Sequence, residues 1–349
     1  MQKEVILNGR RIGRGHPPYM VAEMSANHLG EQERAFRILE AAVEAGADAV
    51  KLQTYTADTL TIDHDGEDFA ITEGPWAGRT LYDLYTEAST PWEWHEALFE
   101  KGRQLGITVF SAPFDPTAVD FLETLDCPAY KIASFEAHDT PLIEKAAATG
   151  KPLIISTGIT DRDEVRQAVA AARRGGCRQL VLLHCVSAYP TPAGESHLRK
   201  IASYEEEFGL PTGLSDHTTG TAVPVAAIAL GAAMIEKHLT LDRSEGGPDA
   251  LFSLEPDEFG RMCRDCYTAW ESLGDPDGIS PSVEASRIFR RSLYVVEDVR
   301  AGEILSEYNV RSIRPGGGLA PRHLSEVCGR TFNRDVPRGT PLDWSMLEP

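Results

Sequence analysis

The chain has 349 residues, of which 42% are apolar and 25% charged, and it carries a net charge of −19 at pH 7. That balance excludes a nucleic-acid partner, whose phosphates need a basic face. No apolar run approaches the roughly 18 residues that cross a membrane, so no membrane partner is expected. An anionic small substrate is still allowed, because exposed charges are screened over about 10 Å and a few lysines in a cleft set the local field.

Residues 1–13 are charged and lack the apolar core of a signal peptide, so a cytoplasmic location is expected. The six cysteines are scattered. Cys263 and Cys266 form a lone C-x-x-C in a stretch that reads as helix, and without a second pair they read as free structural thiols rather than zinc ligands.

Asn8-Gly9 between two apolar pairs predicts a tight hairpin over 5–12, placed to close the bottom of the main body. A unit then recurs: a short apolar run, a loop, an amphipathic helix and a glycine. Eight runs read as buried parallel strands, at 20–23, 49–53, 108–111, 129–132, 153–156, 180–184, 212–214 and 234–237. In the first helix Ala35, Leu39, Ala42 and Val43 share one face.

Helix starts are read at Thr90-Pro91, Asp115-Pro116 and Thr140-Pro141, with a capping box at Asp161 and Glu164. Gly46, Gly106, Gly150 and Gly175 are expected to end helices in left-handed turns. Residues 54–89 form an oversized connection holding Tyr55, Trp76, Tyr82 and Tyr85, which reads as a binding loop or as a self-packed excursion.

Eight such units predict an α/β fold, a (β/α)8 TIM barrel; no glycine-rich dinucleotide fingerprint follows the first strand to favour a doubly wound sheet. The barrel with its hairpin is expected over 1–274. Gly274-Asp275-Pro276-Asp277-Gly278 opens a linker over 275–289, and 290–349 reads as a small β-rich domain. At about 60 residues that domain is expected to have little core of its own.

Active sites of such barrels are built at the C-terminal strand ends. Those ends carry Glu23 with Asn27 and His28, Lys51 and Gln53, Ser111, Lys131 and Ser134, Ser156, His184 and Ser187, Ser215 with His217, and Glu236 with His238. Charged groups are rarely buried without partners, so their recurrence suggests convergence on one polar ligand. Lys51 and Lys131 with the hydroxyls of Ser134 and Ser156 suit a phosphate plus a carboxylate, although each lysine also reads as a rim ion pair. His217 and His238, on adjacent strand ends, suit an open divalent-metal site. Glu23 reads either as a general base toward water or as a partner for Lys51.

The stretches Ala22-Glu23-Met24-Ser25-Ala26-Asn27-His28, Lys51-Leu52-Gln53-Thr54, Tyr130-Lys131-Ile132-Ala133-Ser134, Ser156-Thr157-Gly158, Leu214-Ser215-Asp216-His217-Thr218 and Ile235-Glu236-Lys237-His238 resemble the sialic acid synthase family in order and spacing. Residues 309–316 resemble that family's antifreeze-like (SAF) domain. Thr54-Tyr55-Thr56-Ala57-Asp58-Thr59, Thr90-Pro91-Trp92-Glu93-Trp94-His95 and Phe289-Arg290-Arg291-Ser292-Leu293-Tyr294 are similar to its pseudaminate branch, with the N-acetylneuraminate and legionaminate branches as alternatives.

The resemblance implies condensation of phosphoenolpyruvate with an amino-sugar aldehyde. Phosphoenolpyruvate would be held by Lys51, Lys131, Ser134, Ser156 and Ser215, with Ser111 and Ser187 as helpers. Manganese, magnesium or cobalt would sit on His217 and His238, with Glu23 or the metal assisting the attacking water. The resemblance assigns the sugar to Gln53, Tyr189, Glu236, Asp249 and Arg314, the last supplied by the terminal domain of the second subunit in a domain-swapped homodimer.

Overall fold

A computed structural model describes residues 3–275 and 277–349, and the chain divides into two compact units, Met1–Leu273 and Gly274–Pro349. The first opens with strands β1 (Val5–Leu7) and β2 (Arg10–Ile12), paired antiparallel. Their turn places Asn8 at φ 46° and Gly9 at φ 83°, the double left-handed geometry for which Asn-Gly is favoured. Asn8 Nδ2 donates to Thr108 Oγ1 and the Ile6 amide to Gln179 Oε1, both at the start of barrel strands. The hairpin therefore lies against the N-terminal mouth of the barrel, away from the chemistry.

Eight parallel strands follow: β3 (Tyr19–Glu23), β4 (Ala49–Thr54), β5 (Thr108–Pro113), β6 (Tyr130–Ile132), β7 (Leu153–Ser156), β8 (Leu180–Cys185), β9 (Thr212–Asp216) and β10 (Met234–His238). They close in sequence order, with β10 returning to β3, so the expected TIM barrel forms. The strands are buried on both faces, between a filled interior and a ring of helices, which is why they read as apolar runs without clean alternation. The first helix, Gln32–Glu44, buries Ala35, Ile38, Leu39 and Ala42. Helix Pro256–Leu273 buries Cys263 and Cys266; all six cysteines are free thiols.

Three expected helix boundaries shift. The helix at 92–105 takes Pro91 rather than Thr90 as its cap; Thr90 is buried and hydrogen-bonds the His28 ring at 3.2 Å. At Thr140-Pro141 the cap is Asp139, whose carboxylate accepts from the Leu142 amide, because Asp outbids a Thr one residue later. Gly175 stays right-handed at φ −67°, and Gly176 takes the left-handed turn at φ 93°. A Cβ on Gly175 would lie 2.6 Å from Ala147 Cβ, so this glycine serves close helix packing. Asp115, and Asp161 with Glu164, cap as expected.

Two histidines outside the barrel interior brace the upper loops. His95 donates from Nδ1 to the Pro91 carbonyl and receives a hydrogen bond from Thr54 Oγ1 at 2.8 Å. Burial pulls both His28 and His95 down to about 4, so folding buries them neutral. An unfolded histidine titrates near 6.5. The stability they provide is therefore complete above about pH 6.5 and is lost as pH falls toward 4. Unfolding curves of wild type and a His28→Gln/His95→Gln variant should accordingly differ most above pH 6.5. The difference should shrink by about 1.4 kcal/mol per pH unit for each fully titrating group as pH drops.

In the second unit, β11 (Ser292–Val295) pairs antiparallel with β12 (Val310–Ile313). Contrary to expectation, it has its own core, in which Leu293, Val295, Val310, Phe332 and Leu342 are essentially inaccessible. Irregular strands and isolated bridges bring these residues together from 293 to 347, a pattern too aperiodic to read from sequence. The segment read as a linker carries two short helices, Pro281–Ala285 and Ser286–Phe289; its Pro276 lies outside the described residues. Among the described residues, no helix is long and apolar enough to cross a membrane.

Candidate active site

Strand register decides which polar residues meet. Paired residues of parallel strands share a face, and successive residues alternate. Lys51 pairs with Glu23, Glu23 with His238, Glu236 with Ser215, and Ser215 with Cys185; these side chains point into the barrel. Lys131 and Ser156 point inward from β6 and β7. Their neighbours face the helices: Lys237 pairs with Asp216 behind the wall, both almost wholly buried.

On the barrel floor, Lys51 Nζ lies 2.9 Å from Glu23 Oε2 and 3.4 Å from Glu236 Oε1. Lys131 Nζ approaches the same Glu236 oxygen at 3.0 Å, and Ser215 Oγ donates to it at 3.2 Å. Burial alone would push Glu236 up, but Lys131 and Lys51 hold it down at about 2. Burial likewise opposes the charge on Lys51, yet Glu23 and Glu236 raise it above its ordinary value. Burial raises Glu23 and lowers Lys131. Two cations and two carboxylates thus offset one another on the buried floor, and removing Glu236, which bridges both lysines, leaves an uncompensated buried charge.

Beside this quartet lies a hydroxyl cradle. Ser187 Oγ donates to Ser134 Oγ at 2.9 Å, and the Ile159 amide donates to Ser134 Oγ at 3.1 Å. Ser156 Oγ is buried with no hydrogen-bond partner. A Cβ on Gly158 would stand 2.3 Å from Ser187 Oγ and 2.6 Å from Ser134 Oγ, so the cradle exists only because residue 158 has no side chain. Closely spaced hydroxyls beside two lysines are the donor set that could hold an anion.

Across the floor, the rings of His217 and His238 are 5.4 Å apart. His217 donates from Nδ1 to the Val186 carbonyl at 3.0 Å, which leaves its lone pair on Nε2. His238 Nδ1 is buried without a hydrogen bond, with Asp249 Oδ2 3.8 Å away. Burial holds His217 at about 4 and His238 well below 6.5, so both present neutral imidazoles. Neutral paired imidazoles with an orphaned nitrogen fit a divalent ion of borderline softness. Among the described residues no group of three or more His, Cys, Asp or Glu could hold a metal. An ion on this pair would complete its shell with water and substrate oxygens.

The cavity above these groups has a volume of about 480 Å³. Its outer wall comes largely from the 54–89 connection, which contributes Tyr55, Leu60, Ile71, Trp76, Leu84 and Tyr85. Trp76 donates from Nε1 to the Pro248 carbonyl at 2.9 Å, tying the connection to the loop that carries Asp249.

The comparisons fit this geometry. The NeuB family profile matches residues 38–278 and the SAF domain profile residues 290–348. The chain belongs to the NeuB family. A pseudaminic acid synthase of Campylobacter jejuni is 44% identical over 325 residues, covering 93% of this chain and 95% of the relative. An N,N'-diacetyllegionaminic acid synthase of Legionella pneumophila is 35% identical, covering 95% and 94%. Among solved structures, the N-acetylneuraminic acid synthetase of Leptospira borgpetersenii superposes with a TM-score of 0.74 at 28% identity, covering 82% of this chain and 95% of that one. The resemblance read from the motifs holds, and this NeuB-family chain is an enzyme, a synthase.

Of the residues read from sequence, the NeuB barrel brings Lys51, Gln53, Lys131, Ser134, Ser156, Tyr189, Ser215, His217, Glu236, His238 and Asp249 to one cavity. Glu23 lies just beneath, accepting from Gln53 Nε2 at 2.9 Å. Ser187 reaches the cavity through Ser134. Ser111 does not line it: it pairs with Leu52, faces the helices and bonds Thr54 Oγ1 at 2.6 Å. His184 also faces out, donating to the Ser196 carbonyl, while Asn27 donates to the Leu239 carbonyl and Ser253 Oγ. Arg314 belongs to the second unit, where it is exposed just after β12.

Among the lining residues of the NeuB site that sequence reasoning missed are Ser25, Glu136, Cys185 and Phe252. Counting by twos from Leu183 would have turned Cys185 inward in place of His184. Glu136, raised to about 7 by burial and unpaired at Oε2, sits in a short helical turn after β6 that has no periodicity to read.

Proposed function

We propose that the chain condenses phosphoenolpyruvate with 2,4-diacetamido-2,4,6-trideoxy-L-altrose to give pseudaminic acid and phosphate. The observation that carries this reading is the placement of an anion cradle (Lys51, Lys131 and the serines around Gly158) beside a neutral histidine pair in one closed-floored cavity. The higher identity to a pseudaminic acid synthase than to a diacetyllegionaminic acid synthase supports the choice of sugar.

In this mechanism, Lys51 and Lys131 take the negative charge of phosphoenolpyruvate, and Ser134, Ser156, Ser187 and Ser215 hydrogen-bond its oxygens. That fixes the methylene carbon toward the aldehyde. The new C–C bond forms from the enol double bond, and positive charge develops at the enol carbon. Glu23 and Glu236 lie beneath the site and stabilise it electrostatically. Water adds to that carbon, giving up a proton with help from Glu23. Phosphate then leaves with the C–O bonding pair and takes up the second proton of the added water, the enol carbon becomes a ketone, and the aldehyde oxygen, receiving the proton that Glu23 helped remove, ends as a hydroxyl. His217 and His238 would hold a divalent ion, which as a Lewis acid polarises the aldehyde carbonyl. Gln53, Tyr189 and Asp249 position the sugar chain, so that the gain comes from orientation and preorganised charge.

Phosphate release with manganese, measured against this altrose derivative, its legionaminate counterpart and N-acetylmannosamine, tests the proposal. Release with the altrose derivative alone is expected; release only with another sugar would reassign the substrate, and none with any sugar would reject the proposed condensation. Gly158→Ala should raise KM for phosphoenolpyruvate about tenfold through one or two lost hydrogen bonds, leaving the sugar KM unchanged. Mn²⁺ titration followed by EPR should show one tight site that His238→Ala loses.

We also propose that the enzyme is a homodimer in which Arg314 of each terminal domain serves the second subunit's barrel. Mixing Arg314→Ala subunits with Lys131→Met subunits should then restore activity that neither variant has alone. No restoration after subunit exchange would sink this arrangement.

A further inference from the structure

The polar groups of the cavity are concentrated on its floor, and the wall is of a different chemistry. Tyr189 packs 4.4 Å from His217, and Phe252 lies 4.9 Å from His238, measured between ring centroids. Trp76 packs on both, at 5.5 Å from Tyr189 and 6.5 Å from Phe252. An unbroken aromatic face therefore runs from the histidine pair to the tip of the 54–89 connection. Opposite it, Tyr55 stands against Tyr85 and Phe114, with Leu60, Ile71 and Leu84 filling the gaps. The indole N–H of Trp76 is already used on Pro248, so the ring offers a ligand only apolar surface.

We infer that Trp76 is a specificity-determining residue, whose ring receives the C6 methyl terminus of the sugar and disfavours a C6 hydroxymethyl. The inference rests on the proposed condensation, which puts the aldehyde carbon beside His217 and His238. An open six-carbon chain starting there and following the aromatic face ends at the indole, two ring contacts away. A hydroxyl at that end finds no partner on Trp76 and loses its water. An apolar pocket rejects an added hydroxyl by about 10²-fold in favourable cases, which sets the expected size of the effect. Glu73 and Glu136 also line the cavity. Glu73 is exposed and Glu136 follows β6; among the described residues neither carboxylate hydrogen-bonds Trp76, whose one donor is held by the Pro248 carbonyl.

The test compares kcat/KM for two aldehydes that differ only at C6, the 6-deoxy diacetamido sugar and its 6-hydroxy analogue. Wild type should favour the 6-deoxy sugar by about 10²-fold. Trp76→Asn should shrink that ratio about tenfold, with KM for phosphoenolpyruvate unchanged as evidence of an intact floor. Trp76→Phe keeps the apolar face but loses the bond to Pro248, and should keep the ratio. Equal use of both sugars by wild type, or an unchanged ratio in Trp76→Asn, overturns the inference and leaves the condensation standing. Loss of the ratio in Trp76→Phe also overturns it, because the loop tie and not the apolar face would then be responsible. Wild type inactive with both sugars would instead reject the condensation itself.

Discussion

Lys131→Met is expected to lower kcat/KM for phosphoenolpyruvate by at least about 10³-fold while leaving a folded protein. Removing one preorganised donor commonly costs 10²–10³ in rate. Here the side chain also supplies half of the cationic charge on the floor. Methionine matches the length of the lysine stem, so the cavity stays filled. Glu236 keeps Lys51 as a partner at 3.4 Å, so the carboxylate is not stranded. Lys131→Arg should not rescue the activity, since a planar guanidinium does not occupy the volume of a compact ammonium. Steady-state phosphate release, paired with a thermal melt, checks both halves. A loss below tenfold would show that Lys131 is a structural partner of Glu236 and no more.

Glu236→Gln carries the second large effect, this time on stability. Among the described residues, Glu236 alone touches both lysines and Ser215. Its neutralisation leaves Lys51 with Glu23 alone and Lys131 with no carboxylate in salt-bridge contact among the described residues. Breaking a buried pair from one side costs about 3–5 kcal/mol. For a domain of this size that is a fall in Tm on the order of 10 °C. Added inorganic phosphate should recover part of the loss, because an anion in the cradle replaces the missing charge; wild type, already neutral there, should gain less. If the melting temperature is unchanged and insensitive to phosphate, the four groups are not coupled as the distances imply.

Much of this was visible in the residues. The barrel was legible because each strand is a short apolar run and several helix starts carry Asp, Pro or a capping box. The floor was legible because Lys51, Lys131 and Glu236 are charged residues inside runs that bury everything else. What failed was mostly phase. Ser111 and His184 stand at strand ends but on the helix-facing side, and polarity alone does not distinguish the two faces when both are buried. Thr90 looked like a cap because its partner, His28, is 62 residues away. The core of the second unit was hidden because its residues come from bridges and turns without a repeat.

The barrel keeps two kinds of chemistry on opposite faces of the same strand. On β10, Glu236 and His238 look inward while Lys237, between them, is sealed against Asp216 on the outside. A single inserted codon within that strand would exchange the two sets, sending a lysine to the histidine's place and stranding a carboxylate among apolar helices. The eight strands are therefore closed to insertion and deletion during descent. The connection at 54–89 hangs from the end of β4 and is free of that constraint. Lineages that change sugars should differ in the length and sequence of this loop while the floor stays in register.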